Sequence, residues 1–185
     1  LPLHEGDLII LSSRNHLLYA SPYLNRNGDR WFDHSARKKS AGLGLDKWLM
    51  ELDLTIRKSG EIGVNVVLFL PNVEFDQKVL DYDTMCRVEW FRRQPQGCNV
   101  KVSREFLDSR FPKKFYNEVR SRADEISNFY IFDPMPIYCP PQKFKCSRIV
   151  DGVVAFKDPS HLTDAGAKLI LDESSLFLAR HNLIN

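Results

Sequence analysis

Asp158 and His161 stand three residues apart in Asp158-Pro-Ser-His161, and across a turn that spacing lets a carboxylate reach its neighbour's ring Nδ1. Such a contact fixes the imidazole tautomer and leaves Nε2 free as a general base. Pro159 stiffens the turn. The plainer reading is that an Asp near a helix start is only a cap. His4, His16, His34 and His181 have no carboxylate or cysteine partner at ligand spacing, so ordinary surface or core roles are their default and no metal set is expected. His16 is of interest because it follows the polar stretch Ser12-Ser13-Arg14-Asn15.

The four cysteines, Cys86, Cys98, Cys139 and Cys146, fall into two local pairs. Four cysteines allow three pairings, and these spacings suit neither a zinc knuckle nor a redox Cys-x-x-Cys. Two readings stand. In one, each pair closes a small turn-rich loop such as Cys139-Pro-Pro-Gln-Lys-Phe-Lys-Cys146, which implies an oxidising compartment. In the other, all four are free or buried thiols of a reducing one.

Arg87, Arg92, Arg93, Arg104, Arg110, Lys113, Lys114, Arg120 and Arg122 make the middle of the chain basic, with Trp90 and Phe91 among them. A stacking surface for nucleic acid has this composition. Asp108, Glu118, Asp124 and Glu125 interrupt the charge, so a solvated helix face is expected instead. Across all 185 residues, 26 Lys and Arg oppose 24 Asp and Glu, a net charge of +2. That near balance excludes the strongly basic face of a dedicated nucleic-acid binder. With 43% apolar and 27% charged residues, the chain has the composition of one globular domain. No apolar run approaches the ~18 residues of a membrane span, and the first residues lack the basic and apolar regions of a signal peptide. The sequence begins with Leu1, as expected of a processed product or a piece of something longer.

The elements that must position these residues follow from apolar patterning. Asp7-Leu-Ile-Ile-Leu-Ser12, Val64-Asn-Val-Val-Leu-Phe-Leu70 and Asn128-Phe-Tyr-Ile-Phe-Asp133 are short continuous apolar runs, the pattern of strands buried on both faces. Between the first two, Leu45, Trp48, Leu49, Leu52 and Ile56 fall at helical spacing over 46–58, with Asp46 as cap and Gly60 just beyond the end. A second helix is expected from Pro112 to Ile126, presenting Phe115, Val119, Ala123 and Ile126. Strands alternating with helices indicate βαβ units and a parallel sheet. Aromatic pairs such as Trp31-Phe32 and Phe129-Tyr130 read as core. Arg148-Ile-Val-Asp-Gly-Val-Val-Ala-Phe156 reads as a hairpin about an Asp-Gly turn. Thr163 then caps a final helix to Ala179, and Leu162, Leu169, Leu176 and Leu183 recur every seven residues.

From Tyr138 to Ala167 the chain carries a Cys pair, an Asp-Gly hairpin, Asp158-Pro-Ser-His161-Leu-Thr and a following Gly166-Ala167. This stretch resembles the last block of SGNH hydrolases, and more narrowly the extracytoplasmic SGNH domain fused to acyltransferase-three membrane proteins, which modify surface polysaccharides. The resemblance is close over this block and looser elsewhere, through strand order and the Leu11-Ser12-Ser13-Arg14-Asn15 ending of the first strand. It implies an α/β, flavodoxin-like three-layer sandwich with a mostly parallel sheet. It also implies serine attack on an acyl ester, with His161 as base and later acid, Asp158 orienting it, and an oxyanion hole. By position, Asn15 supplies the oxyanion donor, and Arg14 competes for that role. No cofactor or metal is implied. The partners are a carbohydrate acceptor, an acyl donor and an N-terminal membrane acyltransferase domain of the same polypeptide, which would tether it in the periplasm or outside the cell.

One departure from the family pattern is serious. Its nucleophile lies in a Gly-Asp-Ser motif after the first strand, and none occurs here; Gly6-Asp7 is followed by Leu8 and precedes a strand. Ser12 and Ser13 lie at a strand end, where active sites gather, but neither has the Gly-flanked turn of a nucleophile elbow. Ser13 is the weak substitute. The expectation is therefore a single SGNH-like domain over 1–185 that lacks its first strands, is inactive alone, and forms the C-terminal part of a hydrolase or O-acyltransferase. In the strand order 2-1-3-4-5 such a piece would expose its first strand as an apolar edge. The rival is a noncatalytic carbohydrate-binding or assembly domain on a degenerate SGNH scaffold. An unrelated flavodoxin-like domain is a third option, but no phosphate-cradling glycine loop supports it.

Overall fold

The computed structural model describes residues 2–12, 34–72, 75, 86, 98, 101–105, 113–142, 144–158 and 161–184, with side chains of the first helix from residue 44 onward. The chain divides into two compact units, one of residues 1–71 and 114–131, the other of 72–113 and 132–185.

The first unit is built on strands β1 (Leu8–Ser12), β2 (Asn65–Phe69) and β4 (Phe129–Phe132), hydrogen-bonded in the order β1-β2-β4 as a parallel sheet. β1 runs alongside β2 from Leu8 opposite Asn65 to Ser12 opposite Phe69. Successive side chains of a strand point to opposite faces, and Val66, Val67 and Leu68 are all fully buried. β2 is thus covered on both faces, as its unbroken apolar run requires. Among the described residues β1 lies at the edge of this sheet, and its Ile10 is 51% exposed.

Helix α1 runs His34–Glu61, starting well before Asp46. The residues ahead of Asp46 include Ala36, Arg37, Lys38, Lys39 and Ala41, good helix formers that let the helix extend. Asp46 consequently caps nothing and pairs with Lys114 at 3.1 Å. The apolar stripe holds its place: Leu45, Leu49, Leu52 and Ile56 join Val66, Leu68, Phe115, Val119 and Phe129 in one core. Phe115 and Val119 come from helix α2 (Lys113–Glu125), and the Phe115 ring lies 5.4 Å from Trp48. Arg122 of α2 ties the helices together, donating to Asp53 from Nε at 2.6 Å and from Nη2 at 3.0 Å.

Gly60 does not end α1; Gly63 does. Gly63 adopts φ +70°, and Val64 donates to the Ser59 carbonyl at 2.9 Å while Gly63 donates to Gly60, the double closure of a Schellman motif. Gly60 instead makes room for Asn128, which a Cβ there would meet at 3.1 Å. The Asn128 amide donates to the Ile56 and Val64 carbonyls at 3.0 and 3.1 Å, fastening the helix end to the start of β2.

Among its described residues the second unit holds two small antiparallel pairs. β3 (Lys101–Ser103) pairs with β5 (Lys145–Ser147), placing Val102 opposite Cys146. β6 (Ile149–Val150) and β7 (Val153–Val154) form the expected hairpin, with Asp151 at φ 48° and Gly152 at φ 83° in its two-residue turn. Positive φ at both central positions matches the twist of the flanking strands. The short helix α3 (Met135–Tyr138) follows β4, and α4 (Asp164–Arg180) closes the unit. The seven-residue leucine spacing is not a buried seam, because Leu176 is 57% exposed; Gly166, Ser174 and Leu178 are the buried positions of α4. Disulfides join Cys86 to Cys98 and Cys139 to Cys146, which settles both the pairing and the choice against free thiols.

Candidate active site

The residues that place His161 are those of a narrow loop. The Lys157 N–H donates to the His161 carbonyl at 2.9 Å, and Phe156 and Leu162 bridge as antiparallel partners. These pairings bring residues 156–158 alongside 161–162, with Asp158 next to His161. Asp158 Oδ1 accepts the His161 backbone N–H at 2.8 Å, and Oδ2 lies 2.7 Å from His161 Nδ1. A carboxylate accepts only, so neutral His161 carries its proton on Nδ1 and presents a lone pair at Nε2. The His161 side chain is 55% exposed and that of Asp158 24%, so the base is reachable while its carboxylate is partly sheltered.

Beyond the turn, Thr163 ties helix α4 to the hairpin. Its hydroxyl accepts the Gly166 N–H at 2.9 Å as the helix N-cap and donates to the Val154 carbonyl. Its own N–H donates to the Ala155 carbonyl at 3.0 Å. Gly166 packs directly on that carbonyl, and an added Cβ would overlap it. The Gly-Ala that follows the motif therefore has a steric reason: the first turn of α4 lies against the strand leading to Asp158.

Sequence reasoning assigned no role to Arg148, whose side chain is fully buried. Its Nε donates to the Phe156 carbonyl at 2.6 Å, its Nη2 to the Lys157 carbonyl, and its Nη1 faces Cys86 Sγ at 3.7 Å. The one available signal is a permanently charged residue set against the apolar pair Ile149-Val150. Tyr138 is buried beside Phe156, rings 4.8 Å apart, and burial pushes its phenol above the ordinary value.

Ser13, Arg14 and Asn15, the weak nucleophile and the two oxyanion candidates, lie outside the described residues, as do His16, Trp90, Phe91 and several arginines of the basic stretch. Of its described members, Arg104, Lys114, Arg120 and Arg122 are engaged locally. Arg104 donates to the Cys139 carbonyl at 3.0 Å, Arg120 lies over the Tyr116 ring, and Arg122 is held charged first by Asp53 and then by Glu118. Among the described residues, no three His, Cys, Asp or Glu side chains converge as a metal-ligand set, and no helix is long and apolar enough to cross a membrane.

Residues 1–173 match the family model described as SGNH domain (fused to AT3 domains). No curated protein and no solved structure matches the chain significantly. SGNH domains so fused are acyltransferase-associated hydrolase or acyltransferase modules, and the fusion supports a membrane acyltransferase domain on the same chain. They are typically extracytoplasmic, with which two disulfides accord. The last-block motif, the parallel α/β core and the matched span together place this chain in the family of SGNH domains fused to AT3 domains.

Proposed function

We propose that residues 1–185 form a single SGNH-like domain, the C-terminal part of a longer extracytoplasmic and membrane-tethered polypeptide, that transfers or hydrolyses acyl esters on a surface polysaccharide. The observation that carries this reading is the Asp158–His161 contact at Nδ1, which makes Nε2 the basic nitrogen of the neutral ring. A serine supplied by a Gly-Asp-Ser segment upstream of Leu1 attacks the acyl carbonyl, and Nε2 of His161 takes its proton. The oxyanion of the tetrahedral intermediate is assigned to the Asn15 amide, with Arg14 as the competing donor. Its collapse breaks the ester bond, and the leaving alkoxide receives the proton from His161. In the second half, a sugar hydroxyl or water gives its proton to Nε2 and attacks the acyl-serine; collapse breaks the acyl–Oγ bond, and the serine oxygen takes that proton from His161 as it leaves. Asp158 keeps the ring oriented and stabilises the imidazolium formed in each half. No cofactor is needed for these steps.

The absence of Gly-Asp-Ser from the sequence favours the second reading, a noncatalytic carbohydrate-binding or assembly domain. One experiment separates the two. The polypeptide carrying a Gly-Asp-Ser segment ahead of Leu1 is assayed for acetyl-ester turnover, with and without His161→Ala. A loss of about 10²-fold or more in the variant supports the enzyme; equal rates remove the dyad and leave the binding module.

A further inference from the structure

We infer that Arg148 is a positioning residue for His161, acting through the backbone of the loop that carries Asp158. This deepens the catalytic reading of the Asp158–His161 pair and rests on it. The guanidinium is permanently charged, and taking it wholly out of water costs several kcal/mol unless its donors are well used. Here they are spent on consecutive carbonyls, Phe156 and Lys157, and the next residue is Asp158.

The geometry makes that placement consequential. Lys157 is held from both sides: its N–H donates to the His161 carbonyl across the turn, and its carbonyl accepts from Arg148. Phe156 is likewise bridged to Leu162 on one side and bonded to Arg148 on the other. The Arg148 carbonyl also accepts the Ala155 N–H at 2.9 Å, so one residue fixes three successive positions leading to the carboxylate. Its remaining edge faces Cys86 Sγ, which the Cys86–Cys98 disulfide holds in place. A lysine has a point charge and no planar fork, so it cannot serve both carbonyls from one orientation. Met matches the length and donates nothing.

The test reads the His161 ring directly, by two-bond proton–nitrogen correlation in the 185-residue chain at a pH where the imidazole is neutral. The wild-type protein is expected to favour the Nδ1–H tautomer by about tenfold or more, and Asp158→Asn to lose that preference. Arg148→Met and Arg148→Lys are expected to keep the amide spectrum of a folded protein, to lower the tautomer ratio by about threefold or more, and to speed exchange of the Lys157 amide. A wild-type tautomer ratio in either folded variant overturns the positioning role while leaving the dyad intact. A wild-type protein without the Nδ1–H preference overturns the dyad itself, and this inference with it. Loss of the fold in both variants assigns Arg148 to overall stability and also overturns the inference.

Discussion

Asp158 holds His161 twice, accepting its backbone N–H at 2.8 Å with one oxygen and facing its ring Nδ1 at 2.7 Å with the other. The two contacts have separable consequences. Asp158→Asn keeps an oxygen for the backbone N–H but presents an amide where the second carboxylate oxygen lay. Residues that act as a unit are non-additive. In the polypeptide that includes the serine segment, His161→Ala and Asp158→Asn are expected to lower kcat/KM by about 10² to 10⁴-fold each, and the double variant little further. Additive losses would mean that the carboxylate works elsewhere. Unfolding free energy should change by less than about 1 kcal/mol in His161→Ala, since that side chain is largely solvated.

Gly166 tests the packing beneath the same turn. A Cβ there collides with backbone, the Ala155 carbonyl, which cannot rotate aside as a side chain can. Gly166→Ala is expected to lose about 2 kcal/mol or more in urea unfolding. Gly152→Ala meets nothing within 4 Å but must hold φ +83°, so it should lose only about 1 kcal/mol, a backbone strain alone. The reverse order would mean that α4 does not rest on the Ala155 strand.

Features set by neighbours in sequence are legible from it, and those set by backbone groups far along the chain are not. Asp158 meets His161 because three residues across a turn suffice, and the stripe from Leu45 to Ile56 is a helical period that needs no partner to be read. The Asp-Gly hairpin and the Thr163 cap are likewise local chemistry. Arg148 shows the opposite case: its partners are carbonyls eight and nine residues ahead, and a carbonyl leaves no signature in a sequence. Choosing between Gly60 and Gly63 required knowing where α1 stops, which its exposed face does not disclose. β3 and β5 are three residues each, too short for alternation to register, and their pairing accompanies the Cys139–Cys146 crosslink.

Tyr138 is expected to make stability fall at alkaline pH. Its phenol is buried and held protonated beyond the ordinary value of 10.0, so above pH 10 the unfolded chain binds fewer protons than the folded one. By linkage, unfolding free energy then declines as pH rises, approaching 1.4 kcal/mol per unit for this one group until the folded phenol ionises. Below pH 10 the contribution is constant. Tyr138→Phe removes the titration and sacrifices only a long hydrogen bond to the Gly166 carbonyl at 3.4 Å. Urea titrations of both proteins between pH 8 and pH 11, about the range in which the phenol matters, should diverge only above pH 10; parallel curves would place the slope on other groups.

The two disulfides close loops of sequence separation 12 and 7, and chain entropy values such crosslinks at about 3 and 2.5 kcal/mol. Removing them should nevertheless have unequal effects on the site. Cys139→Ser with Cys146→Ser loosens the loop between α3 and β5 and should lower stability with little change at His161. Cys86→Ser with Cys98→Ser releases Cys86, whose Sγ lies 3.7 Å from Arg148 Nη1. It should lower stability and also broaden the His161 ring signals. Peptide mapping without reductant, on protein taken from its native compartment, should recover Cys86 linked to Cys98 and Cys139 linked to Cys146. Free thiols at all four positions would contradict an extracytoplasmic location, because an oxidising compartment would have closed pairs whose Cα atoms the fold already holds within bonding range, 5.4 Å in the first.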